Sequence, residues 1–343
     1  MDGRRDAKAE DYMSLCTKVA PGDEGKDVWL EALKKATNDD QELIDFIQLV
    51  AGLGLIGEVR RQMATFIWGP SGSAKSTIWN AMTAVLGTYA INLNADILLS
   101  NKISDNNIQS ERASLRKKRW ALCSETDEGM LSESSLKRLV STDRIKGRHL
   151  FKDGIEFEPS HSVYCYLNKL PGFDVYNEAV RNRILVIPFT AVIPNEERIF
   201  NYGKVLAETA GPAILAFLIE GARKVIELNF NIEEKMPAKV AEFMREYEGK
   251  QDWLSEFLEE VCVFGDDQCV NPRRLYDVHV AWCRAKNIKA VSTQVFSELM
   301  KSRYPHETRR ETLEDGKRPQ QTVYKGLSLN PAVPLVLRCM KEN

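Results

Sequence analysis

Gly69-Pro70-Ser71-Gly72-Ser73-Ala74-Lys75-Ser76-Thr77 carries the residue types and spacing in this 343-residue chain that most directly suit chemistry. It follows an apolar run, Ala64-Thr65-Phe66-Ile67-Trp68, and precedes a helical run from Ile78 to Leu86. That is the strand, loop and helix setting a phosphate-binding loop requires. Backbone N–H groups of such a loop, with the helix N-terminus behind them, surround nucleotide phosphates, and glycine lets the backbone come close. Lys75 would reach the β- and γ-phosphates of ATP, and the Ser76 hydroxyl would bind Mg²⁺. Ala74 stands where the motif has glycine. A methyl group is tolerated there if the residue already has a helical, negative φ, and that conformation is expected.

Such a loop implies nucleotide binding without specifying the use made of it, so the companion residues matter. The run Arg119-Trp120-Ala121-Leu122-Cys123-Ser124 ends on Glu125, placed as a carboxylate at the C-terminal edge of a strand. There it could hold Mg²⁺ and orient an attacking water, with Asp127 and Glu128 close enough to share the work. The next apolar run leads straight into Asn168, followed by Lys169-Leu170-Pro171. A neutral amide can hydrogen-bond the γ-phosphate or the water without adding negative charge; an ordinary Asn turn before proline is the alternative. Arg181 and Arg183 precede a further apolar run. One of them could act on a neighbouring subunit's γ-phosphate, or pair on the surface with Glu178.

These residues need a sheet to hold them. The runs at residues 64–68, 120–123 and 162–167 alternate with helical stretches, which predicts an α/β core over residues 61–200. Before it, Trp29, Leu30, Leu33, Leu43, Phe46, Ile47, Leu49, Val50 and Leu53 fall at helical spacing, a helical unit at 28–60 behind a polar, flexible leader at 1–27. After it, a helical region spans 201–262, with Pro212 at a first helical turn and a second helix over about 238–261. Residues 263–343 read as two helices followed by a polar hairpin, the pattern of a winged helix.

Taken in order, these motifs resemble the superfamily 3 helicases of the phage and plasmid primase–helicase family, related to poxvirus-type helicase–primases. The likeness runs over residues 28–329. It takes in the loop, Ser124-Glu125 with Gly129, the Leu136-Lys137-Arg138-Leu139-Val140-Ser141-Thr142-Asp143-Arg144-Ile145-Lys146-Gly147-Arg148 run, Asn168 with Pro171, the segment from Arg183 to Phe189, and Tyr324-Lys325-Gly326. The resemblance implies an AAA+-like P-loop NTPase core, a homo-hexameric ring with ATP between subunits, and DNA in its channel. It gives a role to the hairpin signal at 148–159, where Arg148-His149-Leu150-Phe151 and Ile155-Glu156-Phe157-Glu158 flank Lys152-Asp153-Gly154. Lys152 at the tip would contact phosphate, with Phe151 and His149 packing on sugar or base and Lys146 and Arg148 nearby. Without the resemblance it is an ordinary surface hairpin. Asn182 replaces an arginine common in the family, which leaves the trans role open between Arg181 and Arg183. Ser141-Thr142 departs from the usual approach to Asp143. Many relatives carry a primase–polymerase domain, and nothing before Val28 could hold one, so unwinding with a separate primase or polymerase is expected.

Composition neither demands nor forbids this. The formal net charge of −2 gives no global attraction to a polyanion, so DNA contacts must be local. Arg303, Arg309, Arg310, Lys317 and Arg318 form one such basic cluster, equally readable as a solvated face. The seven cysteines contain no C-x-x-C pair and only four histidines accompany them, which points to buried free thiols instead of a zinc site. No run of about 18 apolar residues or signal-peptide core is present, so a cytoplasmic location, in the host if viral, and no membrane partner are expected. Two other activities share the loop: an ATP-gated origin-binding initiator that does not unwind, and a small-molecule kinase.

Overall fold

The computed structural model describes residues 8, 10, 13–99, 105–124, 129–288, 290–310 and 320–331. The chain divides into two units, Met1–Gln251 and Asp252–Asn343.

In the first unit, α1 (Lys26–Thr37) buries Trp29, Ala32, Leu33 and Ala36, one stripe at helical spacing. The Asp40 carboxylate accepts from the Leu43 N–H and caps α2 (Gln41–Ile56). There follow β1 (Ala64–Trp68), α3 (Lys75–Val85), β2 (Ala90–Asn94), α4 (Asp105–Ser114), β3 (Trp120–Ser124), α5 (Glu133–Val140), β4 (Ile145–Gly147), β5 (Ile155–Phe157), β6 (Ser162–Leu167), α6 (Glu178–Arg181), β7 (Ile184–Pro188), α7 (Tyr202–Thr209), α8 (Gly211–Glu227) and α9 (Ala238–Gly249). The five main strands form a sheet ordered β2-β3-β6-β1-β7, and every pairing is parallel.

Both faces of this sheet are buried, as parallel sheets demand. Ile67, Trp120, Leu122, Leu185 and Ile187 point into one core with α1, α2, α3 and α8. Their strand neighbours Phe66, Ala121, Cys123, Val163 and Val186 point into the other. Trp120 stacks on Tyr164 with ring centroids 4.0 Å apart, and its indole N–H donates to Thr83 Oγ1 at 2.9 Å. α2 and α8 cross at glycine: a Cβ on Gly221 would lie 2.1 Å from the Gln48 carbonyl oxygen, and one on Gly52 would lie 2.3 Å from the Gly221 carbonyl carbon. Residues 16–22 are tied to this unit by Lys18 N–H to Val85 O at 3.0 Å and Gly22 N–H to Pro212 O at 3.1 Å.

The helix expected over about 238–261 is broken. α9 ends at Gly249, and a new helix, α10 (Trp253–Val261), starts behind Asp252, whose carboxylate accepts from the Ser255 N–H at 3.0 Å. Glycine at the last position of α9 is a poor helix former, and the capping Asp252 starts a new helix behind it.

The second unit continues with β8 (Cys262–Val270), α11 (Pro272–Ala285), α12 (Thr293–Arg303), β9 (His306–Arg310) and β10 (Gln320–Leu329). The three strands are antiparallel in the order β8-β10-β9. Asn271 Oδ1 accepts from the Arg273 and Arg274 N–H groups at the start of α11, where Pro272 needs no partner. His279 lies at the centre of an aromatic core, 4.7 Å from Trp253 and 4.9 Å from Phe296 between ring centroids. Burial pushes its pKa down to about 4.

The described cysteines are free thiols, with Cys123 and Cys165 buried side by side on β3 and β6. Cys16 and Cys269 are exposed instead of buried, and Cys339 lies outside the described residues. No described helix is by itself long and apolar enough to cross a membrane.

Candidate functional site

The loop at 69–77 leaves the C-terminal end of β1 between two neighbours. Gly69 N–H donates to Leu167 O of β6 at 3.2 Å, and the Gly72 carbonyl accepts from Ile193 N–H beyond β7 at 2.9 Å. Ser73 N–H closes a turn onto Pro70 O at 3.3 Å, and Lys75 opens α3. The Ser73 hydroxyl is fully buried with no hydrogen-bond partner. Ser76 and Thr77 form the first turn of α3 and line the cavity beside the loop.

Ala74 does not adopt the helical conformation expected of it. Its φ is +61° and its ψ 3°, in the left-handed region, and it serves as N-cap without a side-chain bond. The reason is positional. The residue before α3 must turn the chain from the loop into the helix axis, so the motif's demand for positive φ persists although a methyl group replaces hydrogen.

Lys75 is 5% exposed, and its ammonium donates to Pro70 O at 3.1 Å and to Asn168 Oδ1 at 2.6 Å. Asn168 is carried to that point by β6, which lies beside β1 with Leu167 opposite Trp68. β3 is the next strand out, its last residue Ser124 opposite Tyr166. Glu125, Asp127 and Glu128 lie outside the described residues. Among the described residues no group of His, Cys, Asp or Glu is arranged to hold a metal ion.

Arg183 sits at the other end of the same strands. It precedes β7, and its carbonyl accepts from Ala64 N–H at the start of β1, a strand length on the order of 15 Å from the loop at about 3.3 Å per residue. Its guanidinium donates to Ala179 O at 2.7 Å and to Gln62 Oε1 at 2.6 Å. Arg181 ends α6, half-buried. Around Arg183 a cleft of about 530 Å³ is lined by Arg112, Arg138, Arg144 and Lys146, with Asp143 as its acid. Like charges that share a concave wall focus a positive field there.

β4 and β5 pair antiparallel, Lys146 opposite Glu156 and Gly147 opposite Ile155. The hairpin differs from the expectation at its top. Residues 148–151 do not extend the ladder, because Arg148 N–H is taken by Gln109 O of α4 at 3.0 Å. The chain then turns through His149, whose carbonyl accepts from Lys152 N–H at 3.1 Å, with Phe151 at φ +59°. Phe151 therefore stands at the tip, 104% exposed, beside Lys152.

In the second unit Arg303 is committed within the fold, donating to Ser255 Oγ and Asp252 Oδ2, each at 2.9 Å. Arg309 and Arg310 lie on β9 opposite Gln321 and Gln320. Lys317 and Arg318 lie outside the described residues.

One part of the site was not foreseen. The segment after β7 folds back over the loop, so that Ile193, Glu197, Arg198 and Tyr202 face Gly72–Ile78 and Ala32 and Lys35 of α1 across a cavity of about 210 Å³. Nothing in the local pattern of Pro-Asn-Glu-Glu-Arg marks it, since such a run is an ordinary solvated turn by composition.

No protein-family profile matches the chain. Three curated viral proteins whose names begin "Putative helicase" do align with it. V13 of Sputnik virophage is 28% identical over 42% of the chain, 022R of Frog virus 3 (isolate Goorha) 23% over 69%, and L207/L206 of Acanthamoeba polyphaga mimivirus 23% over 54%. The chain is similar to viral proteins named as helicases. The aligned segments span 19%, 26% and 20% of those relatives' own lengths. Among solved structures, the NrS-1 C terminal region superimposes with a TM-score of 0.50 at 16% identity, over 90% of this chain and 78% of that one. This shows a shared fold.

Proposed function

We propose that the chain is the motor of an ATP-driven, ring-forming DNA helicase of superfamily 3 type, with an AAA+-like core, acting in replication of a virus or other mobile element. The observation that carries this reading is the separation of two parts along the same strands. Lys75 and Asn168 meet at the C-terminal end of the sheet, while Arg183 and its basic cleft lie at the opposite end. An arginine so far from its own loop serves a nucleotide only if another subunit brings that nucleotide, which is the logic of a ring.

Within one subunit, incoming phosphate would take over the Lys75 ammonium from Pro70 O and Asn168 Oδ1. Phosphate oxygens would give the ammonium charge-assisted hydrogen bonds, and the Asn168 amide would be placed to orient the attacking water. Ser76 and Glu125 offer hydroxyl and carboxylate oxygens, the hard donors Mg²⁺ takes, and the bound ion would neutralise charge between the β- and γ-phosphates. The Phe151 and Lys152 tip offers an aromatic face and a cation to single-stranded DNA. The second unit, whose described residues form three helices and a three-stranded antiparallel sheet, would serve as a winged-helix module for duplex DNA.

Strand displacement on a forked duplex, with ATPase measured in the presence and absence of single-stranded DNA, tests the proposal. The expected result is DNA-stimulated hydrolysis with displacement, both lost in Lys75→Ala, and a closed oligomer by mass in the presence of an ATP analogue. A strictly monomeric protein under those conditions would remove the trans-arginine mechanism. Hydrolysis and DNA binding without displacement would mark an origin-binding initiator instead.

A further inference from the structure

Arg198 is the cation nearest the phosphate loop that the motor reading leaves without a task. A Cβ built on Gly72 would fall 2.1 Å from Arg198 Nη2 and 2.6 Å from its Cζ. The guanidinium therefore lies on loop backbone that only glycine leaves open, and Gly72 has a φ of +82°, which other residues rarely adopt. Two hydrogen bonds fix this approach. Ile193 N–H donates to Gly72 O at 2.9 Å, and Arg198 Nε–H donates to Ile193 O at 2.9 Å, so loop, Ile193 and Arg198 form one clamp. The same clamp uses only the inner edge of the guanidinium. Among the described residues no hydrogen bond or ion pair engages the Nη groups, although carboxylates are close: Glu197, the adjacent residue, pairs with Lys35 at 3.5 Å instead.

The setting supplies what an anion would meet there. The loop presents backbone N–H groups, the start of α3 adds its positive end, and Lys75 lines the same cavity. Beside Arg198, the cavity of about 210 Å³ has apolar walls from Ala32, Ile78 and Ile193 and polar groups from Tyr202 and the Lys35–Glu197 pair. That is below the roughly 300 Å³ of drug-sized sites, so it suits a nucleoside whose phosphates extend onto the loop.

We infer that Arg198 is a phosphate-binding residue of this nucleotide site, acting in cis through its Nη groups, with the cavity between α1 and residues 193–202 taking the nucleoside. The inference rests on the reading of residues 69–77 as a phosphate loop. It assigns the chain a cation from its own subunit at the loop in addition to Lys75, distinct from any arginine delivered by a neighbour. It also makes the fold-back after β7 a reporter of nucleotide, because phosphate bound at Arg198 pulls on Ile193 and, through it, on β7.

Calorimetric titration of ATP, ADP and AMP into the full chain tests this with Arg198→Gln, whose amide can still donate to Ile193 O while the charge is gone. Loss of affinity of at least tenfold for ATP and ADP, with less than threefold for AMP, is expected, because the missing cation acts on the distal phosphates. Equal loss for all three nucleotides would indicate a cavity spoiled by misplacing Ile193, and no loss would indicate a bystander; either overturns the inference. If Arg198→Gln fails to unfold cooperatively, Arg198→Met takes its place, keeping an unbranched stem beside Gly72 without the charge: the same selective loss for ATP and ADP supports the inference, and equal loss for all three nucleotides or no loss overturns it. Lys75→Ala separates the two levels. Wild type that binds no nucleotide overturns the loop reading and the inference together, whereas binding that needs Lys75 and ignores Arg198 overturns the inference alone.

Discussion

Lys75 Nζ lies 2.6 Å from Asn168 Oδ1, a hydrogen bond between residues 93 positions apart in the chain. It joins the loop after β1 to the residue after β6 and holds the ammonium, nearly buried, where phosphate would arrive. Its two partners have different tasks, so their substitutions should separate. Lys75→Ala is expected to abolish ATP binding. Asn168→Ala should leave the ATP dissociation constant within about threefold and lower turnover on the order of 10²-fold, as for loss of one preorganised polar group. Steady-state ATPase alongside equilibrium titration checks this, and equal loss of binding in both variants would contradict it.

Ala74 is held at φ +61° in a region that disfavours any residue with a Cβ. Ala74→Gly should raise unfolding free energy by about 1 kcal/mol, the left-handed penalty less the added chain entropy of glycine. Urea denaturation of the two proteins provides the comparison. An unchanged or lowered midpoint would mean that the alanine is relaxed there.

Gly221 sits where α8 crosses α2 with no room for a methyl group. With the Gln48 carbonyl 2.1 Å from the added carbon, Gly221→Ala should force the helices apart and destabilise the first unit by about 1–3 kcal/mol. Gly249→Ala, where a Cβ meets nothing within 4 Å, is the matched control for helix propensity. Thermal unfolding should lower the midpoint for the first and not for the second.

His161 and His279 should make the protein acid-labile. Both are buried, and desolvation pushes each down to about 4; His161 keeps one bond, Nε2–H to Leu139 O at 3.0 Å, which opposes the shift only in part. Their folded pKa lies below the ordinary value of about 6.5, so the unfolded chain binds the proton first. Stability is then fully present above pH ~6.5 and falls as pH drops toward 4, by a contribution on the order of 3 kcal/mol for His161. Unfolding free energy measured from pH 7 to 4.5 should fall more steeply in wild type than in His161→Asn.

Phe151 is fully exposed at the hairpin tip and contributes nothing to the core, so Phe151→Ala should leave the unfolding midpoint unchanged. Its affinity for single-stranded DNA should fall by about 1–3 kcal/mol if a base stacks there. Lys152→Ala should instead reduce the salt dependence of binding. Fluorescence anisotropy with a labelled oligonucleotide over a range of salt concentrations distinguishes the two effects.

The sequence alone determined much of the fold and drew attention to the loop of the candidate site. The apolar runs at 64–68, 120–123 and 162–167 became β1, β3 and β6 because strands buried on both faces are nearly continuous in apolar residues, a pattern visible over five positions. The loop at 69–77 was legible as a candidate for the same local reason, its glycines and lysine being adjacent in the chain. Local pattern does not mark β2, with residues as polar as Asn92 and Asn94 at a sheet edge, or β8, whose interior positions are exposed. Neither has the buried face that makes a strand readable. What only the tertiary structure decided are the relationships between distant residues. Strand order put Asn168 against Lys75 and sent Arg183 to the opposite end of the sheet. The turn into α3 imposed positive φ on Ala74, α4 captured Arg148 and moved the hairpin tip to Phe151, and the fold-back after β7 laid Arg198 on Gly72. Local periodicity encodes which face of an element is apolar; the partner that face will meet depends on packing across the whole chain, and the site is made of those meetings.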